Sequence, residues 1–323
     1  MGARIPLLIN PKAGSLFRSG FKKWLKNHRD EFRLVPTRSA ADLTEKAAKL
    51  AARGEAVVAA AGGDGTLMGA AAGLIGTGTA LGIVPCGTMN VFARELGIGS
   101  RRFDRALAAM KGDETQEVDI FTVNGKPFLQ MAGFGPDARV IELITPLLKK
   151  RLGAAAHVVT GIKVALEAPP LITMTLPDGE QLRGTQIIMG NGKRYGGEAH
   201  LFADAAYDDG RLDAAIINQE NIAVLFEVLG LMVSRGATQH NVSDFTTLRS
   251  IKSCTITADG PLPYQLDGDY AGSLQPGEKI LIERLAHKLR VKIPAAEAEI
   301  NPLDRILSHP LISTLRGRVN LVL

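Results

Sequence analysis

The chain has 323 residues, 46% hydrophobic and 22% charged, an ordinary globular composition long enough for two domains. Only Cys86 and Cys254 are cysteines and the six histidines are scattered, which excludes a disulfide framework and a zinc cluster and suits a reducing, cytoplasmic compartment. The first residues lack a signal-peptide pattern, no run reaches the ~18 apolar residues of a membrane-spanning helix, and aromatics, at 5%, are not interleaved with basic residues as a nucleic-acid platform requires.

Up to residue 124 strands and helices alternate. Ile5–Ile9 reads as a strand that turns away through Asn10-Pro11-Lys12-Ala13-Gly14-Ser15. Positions 20–32 read as an amphipathic helix with Lys22, Lys23, Lys26 and Arg29 beside Phe21, Trp24 and Leu25. Its basic edge is either a solvated outer face or a surface for anionic lipid headgroups. A strand over 32–35 follows, then a helix capped by Ser39 with Asp42 three residues on, running to Arg53. Strands over 57–61 and 81–84, helices from 66 and from 90, and a helix over 101–111 complete the rhythm, which predicts a parallel sheet covered on both faces.

After Val118-Asp119-Ile120 hairpin signals take over: Asn124-Gly125, Pro177-Asp178-Gly179-Glu180, Asp209-Gly210 and Asp259-Gly260-Pro261. Alternating stretches at 172–176 and 255–257 predict antiparallel β structure, interrupted by helices over 137–152 and 222–234. A last strand over 288–293 is broken by Pro294. The segment 301–323, with Leu303, Ile306, Leu307, Leu311, Ile312 and Leu315, docks on the first domain, touches a membrane or meets a second subunit as a homodimer.

Chemistry concentrates at the strand ends. Gly62-Gly63-Asp64-Gly65-Thr66 stands between an apolar strand and a helix. Glycines there let a phosphate approach backbone amides, and the helix aims its N–H groups and positive dipole end at the same point. Asp64 repels a phosphate unless a divalent metal or an acceptor lies beside it. Gly87, Thr88 and Asn90 supply a second wall after the next strand, and Asn10 follows the first; open parallel sheets bind ligands at that edge. The spacing Gly63-x-Gly65-x-x-x-Gly69 is one residue too long for a dinucleotide fingerprint, and no acid follows at 82–86.

In this order, Asn10-Pro11, Gly62 to Thr66 and Pro85-x-Gly87-Thr88-x-Asn90-x-Phe92-Ala93 resemble the diacylglycerol kinase catalytic-domain family, which includes sphingosine and ceramide kinases and soluble bacterial lipid kinases. The likeness continues through Gly133-Phe134-Gly135-Pro136-Asp137-Ala138, Gly190-Asn191, Asp208 to Asp213 and Gln265-Leu266-Asp267-Gly268-Asp269, so it covers about residues 5 to 285. It implies a doubly wound α/β nucleotide domain, like that of the NAD kinases, over 1–124 plus 287–323, and an antiparallel β-sandwich substrate domain over 125–286. It further implies transfer of the γ-phosphoryl group of ATP to a lipid alcohol at a membrane surface, with Mg²⁺ as cofactor and peripheral membrane association. Asp267 takes the position of the family's base. Asn10, Gly62, Gly63, Gly65, Thr66, Gly87, Thr88 and Asn90 fall to the nucleotide; Asp64, catalytic together with Asp267, falls also to metal; Asp119, at a strand end, offers a second metal carboxylate; and Asp209 matches a metal loop of some relatives or else forms an ordinary turn.

The chain departs from relatives at several places. Val91 replaces a common Asp, Met68 and Gly69 stand where Asn-Glu is frequent, Gln130 stands for Asn, Asp269 for Glu, and Pro136 is inserted. Val91, Met68 and Gly69 admit an inert lipid- or nucleotide-binding protein on the same scaffold as one alternative, the changes at 130 and 133–138 bear on substrate identity, and the NAD kinases of the same superfamily suggest a second alternative, a kinase of a soluble small molecule.

Overall fold

A computed structural model describes residues 4–13, 16, 20–144, 155–196, 199–217 and 246–295. The first lobe is a six-stranded sheet. Strands β1 (Ile5–Ile9), β2 (Phe32–Pro36), β3 (Val57–Gly62) and β4 (Ala80–Pro85) are parallel in the order β2-β1-β3-β4. Both β3 and β4 are almost wholly buried, and their uninterrupted apolar sequences, rich in alanine on β3, suit a sheet covered on both faces. The helices Ala40–Ala52, Asp64–Ala72 and Phe103–Lys111 bury Leu43, Ala47, Leu67, Ala70, Leu107 and Met110 in the same core.

The predicted helix over 20–32 is shorter than expected: Phe21–Asn27, then a single 3-10 turn over Arg29–Glu31. Ser39 caps its helix as read, its Oγ accepting from the Asp42 N–H at 3.1 Å. The reciprocal arm reaches one residue further, the Asp42 carboxylate accepting from Arg38 N–H at 2.8 Å. The helix after the first glycine loop starts at Asp64, two residues before the predicted Thr66.

Beyond β5 (Thr115–Val118), two six-stranded antiparallel sheets face each other. In chain order their strands are β6 (Phe121–Val123), β7 (Lys126–Phe128), β8 (Met131–Phe134), β9 (Ile172–Thr175), β10 (Gln181–Gly184) and β11 (Gln186–Gly190). A two-stranded ribbon, β12 (Arg194–Tyr195) with β13 (Ala199–His200), precedes β14 (Leu212–Ile217), β15 (Thr246–Ile251), β16 (Ser253–Ala258), β17 (Leu262–Leu266), β18 (Asp269–Leu274) and β19 (Ile280–Arg284). The sheet orders are β10-β9-β16-β19-β6-β7 and β15-β14-β11-β8-β17-β18. Phe121, Phe128, Phe134, Met174, Ile187 and Ile256 belong to the core between them. The turns fall where Asn124-Gly125 and Asp178-Gly179 predict them, with Asn124, Gly125 and Gly179 at positive φ. The chain then re-enters the first sheet as β20 (Leu289–Lys292), parallel to β4 and antiparallel to β5.

The helix predicted over 137–152 spans Pro136–Leu143, and residues 145–152 lie outside the described residues. A helix Ala155–Ala165 stands where none is predicted. The predicted helix over 222–234 and the 301–323 segment also lie outside the described residues.

Candidate active site

Strands β1, β3 and β4 deliver their C-terminal loops to one edge of the parallel sheet. After β1, the Asn10 side chain accepts from Lys12 N–H at 3.0 Å, curling the chain into a tight turn. After β3, Gly63 caps the next helix, its carbonyl taking the N–H groups of Thr66 and Leu67 at 2.9 and 3.0 Å. The Gly62 carbonyl accepts from Cys86 and Gly87 N–H at 2.8 and 3.2 Å, so the two glycine loops are laced together. A Cβ on Gly87 would fall 2.6 Å from Gly63 Cα and 2.7 Å from Asn90 Oδ1. Glycine is thus required at 87 for one backbone to lie on another.

Asn90 is wholly buried in a left-handed conformation, φ 50°. Its Oδ1 accepts from Gly87 N–H at 2.9 Å, and its Nδ2 donates to Gly87 O and Ser100 Oγ, each at 2.8 Å. Asn90 therefore shapes the loop, a different task from the nucleotide contact expected of it. Gly65 and Thr88 are exposed at the rim. Asp64 turns to the neighbouring helix Val91–Glu95, its Oδ1 accepting from Phe92 N–H at 3.2 Å. Gly69 packs against the preceding helix, where a Cβ would lie 2.7 Å from Leu43 Cδ2.

The second lobe faces these loops with a two-residue hairpin turn, Asp267-Gly268, joining β17 to β18. Both residues have positive φ, 51° and 86°. The Asp267 carboxylate crosses to the start of β8, where Oδ2 accepts from Leu129 N–H at 2.9 Å and Oδ1 from Gln130 and Met131 N–H at 2.7 and 3.1 Å. Asp267 and Asp64 line one narrow slot with Val91, Phe92 and Met131. Burial, above all, pushes the Asp267 carboxyl up to about 6; its three amide donors pull it down and the Asp64 charge raises it further. Asp64 is raised too, because burial outweighs the amides of the Val91–Glu95 helix start.

Among the described residues the three metal candidates form no common ligand group. Asp119, 1% exposed, accepts from Arg284 at 2.8 Å, from Lys288 at 3.3 Å and, through Oδ2, from Gly210 N–H at 2.8 Å. Lys288 Nζ also donates to the Asp208 carbonyl at 3.2 Å. An ammonium and a guanidinium thus neutralise Asp119, and its chemistry does not fit a metal ligand. Asp209 accepts from Arg211 N–H at 2.8 Å within its own turn. Among the described residues no three acidic, His or Cys side chains group to hold an ion. Asp64, a carboxylate that burial penalises and that lies in the slot, does fit a cation shared with substrate phosphates.

The contacts of several groups at the site escaped the sequence reading. Glu95 accepts from Lys193 and Arg194 N–H at 3.1 and 3.0 Å, tying the Val91–Glu95 helix to the second lobe. Gln130 takes the Tyr207 hydroxyl on Oε1 and donates from Nε2 to the Arg194 carbonyl at 2.9 Å. Asp137, Tyr195 and Gln265 form a buried cluster behind Asp267. Their signal is hidden because the partners are 58 and 128 residues apart.

Comparison with known proteins gives a consistent result. Residues 4–123 match the family model described as "Diacylglycerol kinase catalytic domain", and residues 131–286 match "YegS C-terminal NAD kinase beta sandwich-like domain". The chain is 29% identical over 310 residues to "Diacylglycerol kinase" of Bacillus subtilis (strain 168), covering 92% of this chain and 98% of that protein. It is 33% identical over 248 residues to "Probable lipid kinase YegS-like" of Pseudomonas aeruginosa (strain UCBPP-PA14), 76% of this chain and 78% of that one. A solved structure of a diacylglycerol kinase from Bacillus anthracis str. Sterne superposes with a TM-score of 0.69 at 23% identity, over 93% of this chain and 97% of that chain, which shows the shared fold. Among the described residues no helix is long and apolar enough to cross a membrane.

Proposed function

The chain belongs to the diacylglycerol kinase catalytic-domain family, and from that premise we propose that it transfers the γ-phosphoryl group of ATP to the hydroxyl of a lipid alcohol. The observation that carries this reading is Asp267, whose carboxylate is fixed by three backbone N–H groups in the slot it shares with Asp64. Phosphoryl transfer asks mainly for positioning and charge stabilisation. The glycine loops at 62–66 and 87–90 would take the nucleotide phosphates. The acceptor hydroxyl would enter between the lobes, its oxygen forming the new bond to γ-phosphorus as the bond to the ADP oxygen breaks. Asp267 would accept the hydroxyl proton and so carry one proton per turnover. Bound Mg²⁺ would supply charge neutralisation for the phosphates, with Asp64 as its protein ligand.

Family relatives named diacylglycerol kinase and lipid kinase support an acceptor of the lipid class. Exposed Lys22, Lys23 and Lys26 on the helix Phe21–Asn27 suit transient contact with an anionic membrane surface.

The test is transfer of label from γ-labelled ATP, with Mg²⁺, to a panel of micellar lipid alcohols followed by solvent extraction. Label in the organic phase, lost in Asp267→Asn, is the expected result and names the acceptor. Label that stays in a water-soluble product supports the small-molecule alternative, and nucleotide binding without transfer supports the inert binder.

A further inference from the structure

The Asp267 turn is held from behind as well as through its carboxylate. Gly268 N–H donates to Gln265 Oε1 at 2.7 Å. The other end of that amide, Nε2, donates to Asp137 Oδ2 at 3.3 Å, and the Tyr195 hydroxyl donates to the same oxygen at 2.9 Å. A continuous run of hydrogen bonds therefore leads from Tyr195 on β12, through Asp137 at the start of the helix Pro136–Leu143, to the peptide that follows Asp267. Gln265 is 1% and Tyr195 6% exposed, so water competes little for these bonds.

The backbone is cut to fit this run. Gly133 lies opposite Gln265 in the β8–β17 ladder, and a Cβ on it would fall 1.9 Å from Asp137 Oδ2 and 2.7 Å from Gln265 Nε2. Polarity fixes the direction. Gly268 N–H can only donate and an ionised Asp137 can only accept, so the Gln265 amide has one productive orientation. Asp267 stands at φ 51°, the left-handed conformation a two-residue Asp-Gly turn uses, and the run fixes the peptide that follows it.

We infer that Asp137 and Gln265 are positioning residues for phosphoryl transfer: through Gly268 N–H they set the Asp267-Gly268 peptide, and with it the aim of the Asp267 carboxylate into the slot. The inferred role is one of position and asks for no proton transfer along the run. The inference rests on Asp267 being the base, and the experiment separates the two.

Steady-state kinetics of the full chain would use γ-labelled ATP, Mg²⁺ and the lipid alcohol of the panel with the highest turnover. Gln265→Leu and Gln265→Glu are expected to lower kcat about 10- to 100-fold with KM for ATP unchanged, the signature of a misaimed group. In Gln265→Glu two carboxylates face each other. Adding Asp137→Asn reverses donor and acceptor: the amide at 137 donates to the carboxylate at 265, which still accepts from Gly268 N–H. The double variant is expected to regain most of the lost kcat. Native kcat in both Gln265 variants while Asp267→Asn is inactive overturns the inference and leaves the base reading standing. So does a loss expressed wholly in KM. Should Gln265→Leu fail to fold, equal kcat in Gln265→Glu and in the double variant overturns it. Full turnover by Asp267→Asn, or turnover of no lipid at all, removes the base reading and this inference together.

Discussion

Asp137 carries its charge where folding penalises it. Burial pushes its carboxyl up to about 6 from 3.8, with the Tyr195 hydroxyl and nearby donors holding it down. A carboxyl raised in the folded state is disfavoured when ionised, so the penalty is present above about pH 6 and lifts as pH falls. An amide at 137 has no such charge. The melting temperature of the native chain, measured relative to Asp137→Asn, is therefore expected to rise between about pH 8 and about pH 5; a flat difference would contradict the burial argument. Asp267 has the same sign, and as the proposed base it would have to be ionised, so kcat/KM is expected to fall on the acid side of about pH 6, which a pH profile of kcat/KM would check. Gly87→Ala tests the loop contact: a methyl 2.6 Å from Gly63 Cα must part the two loops. ATP binding followed by calorimetry should weaken at least tenfold, about 1.4 kcal/mol. The glycines and Asp267 were legible in the sequence as types fitted to turns and phosphates. Asp137 and Gln265 stood in the motifs without a role and Tyr195 was unmarked, since nothing local shows what a side chain does when its partner comes from another strand.

Elements read well where their signals are local. The Ser39 cap, the Asn124-Gly125 turn and the apolar β3 and β4 strands all follow from side chains acting within a few residues. Ser39→Ala is expected to cost about 1 kcal/mol by denaturant melt, because the Asp42 N–H loses its acceptor at the start of the helix. The Asp267-Gly268 pair shows why one motif can hold two readings at once. It is an ordinary two-residue hairpin turn, and that turn is what carries the carboxylate to the amides of β8. The helix over 20–32 ended early because His28 leaves the helical conformation, φ −118° and ψ 24°, and the chain tightens to a 3-10 turn.

Across the whole molecule, the lobes are joined by charge placed at the junction. Asp119, next to the end of β5, is neutralised by Arg284 at the end of β19 and Lys288 just before β20, and it also holds the turn at Gly210. Expecting a metal there was reasonable from a carboxylate at a strand end and an acidic turn nearby. The tertiary fold instead brings two cations from a segment 165 or more residues away. Replacing both, Arg284→Met with Lys288→Met, leaves a buried unpaired carboxylate and is expected to cost about 3–5 kcal/mol of stability. Chelators should leave the melting temperature of the nucleotide-free chain unchanged, which thermal melts with and without a chelator would check.

The sequence by itself determined the two fold classes, the three loops at the strand ends and the turn that bears Asp267, because hydrophobic period, glycine and turn chemistry act over a few residues. Only the tertiary structure decided what each polar group spends its hydrogen bonds on. Asn90 closes its own loop, Asp119 pairs with cations and Asp137 supports Asp267 through Gln265. Those assignments depend on desolvation and on partners from distant strands, and both come into being only when the lobes pack.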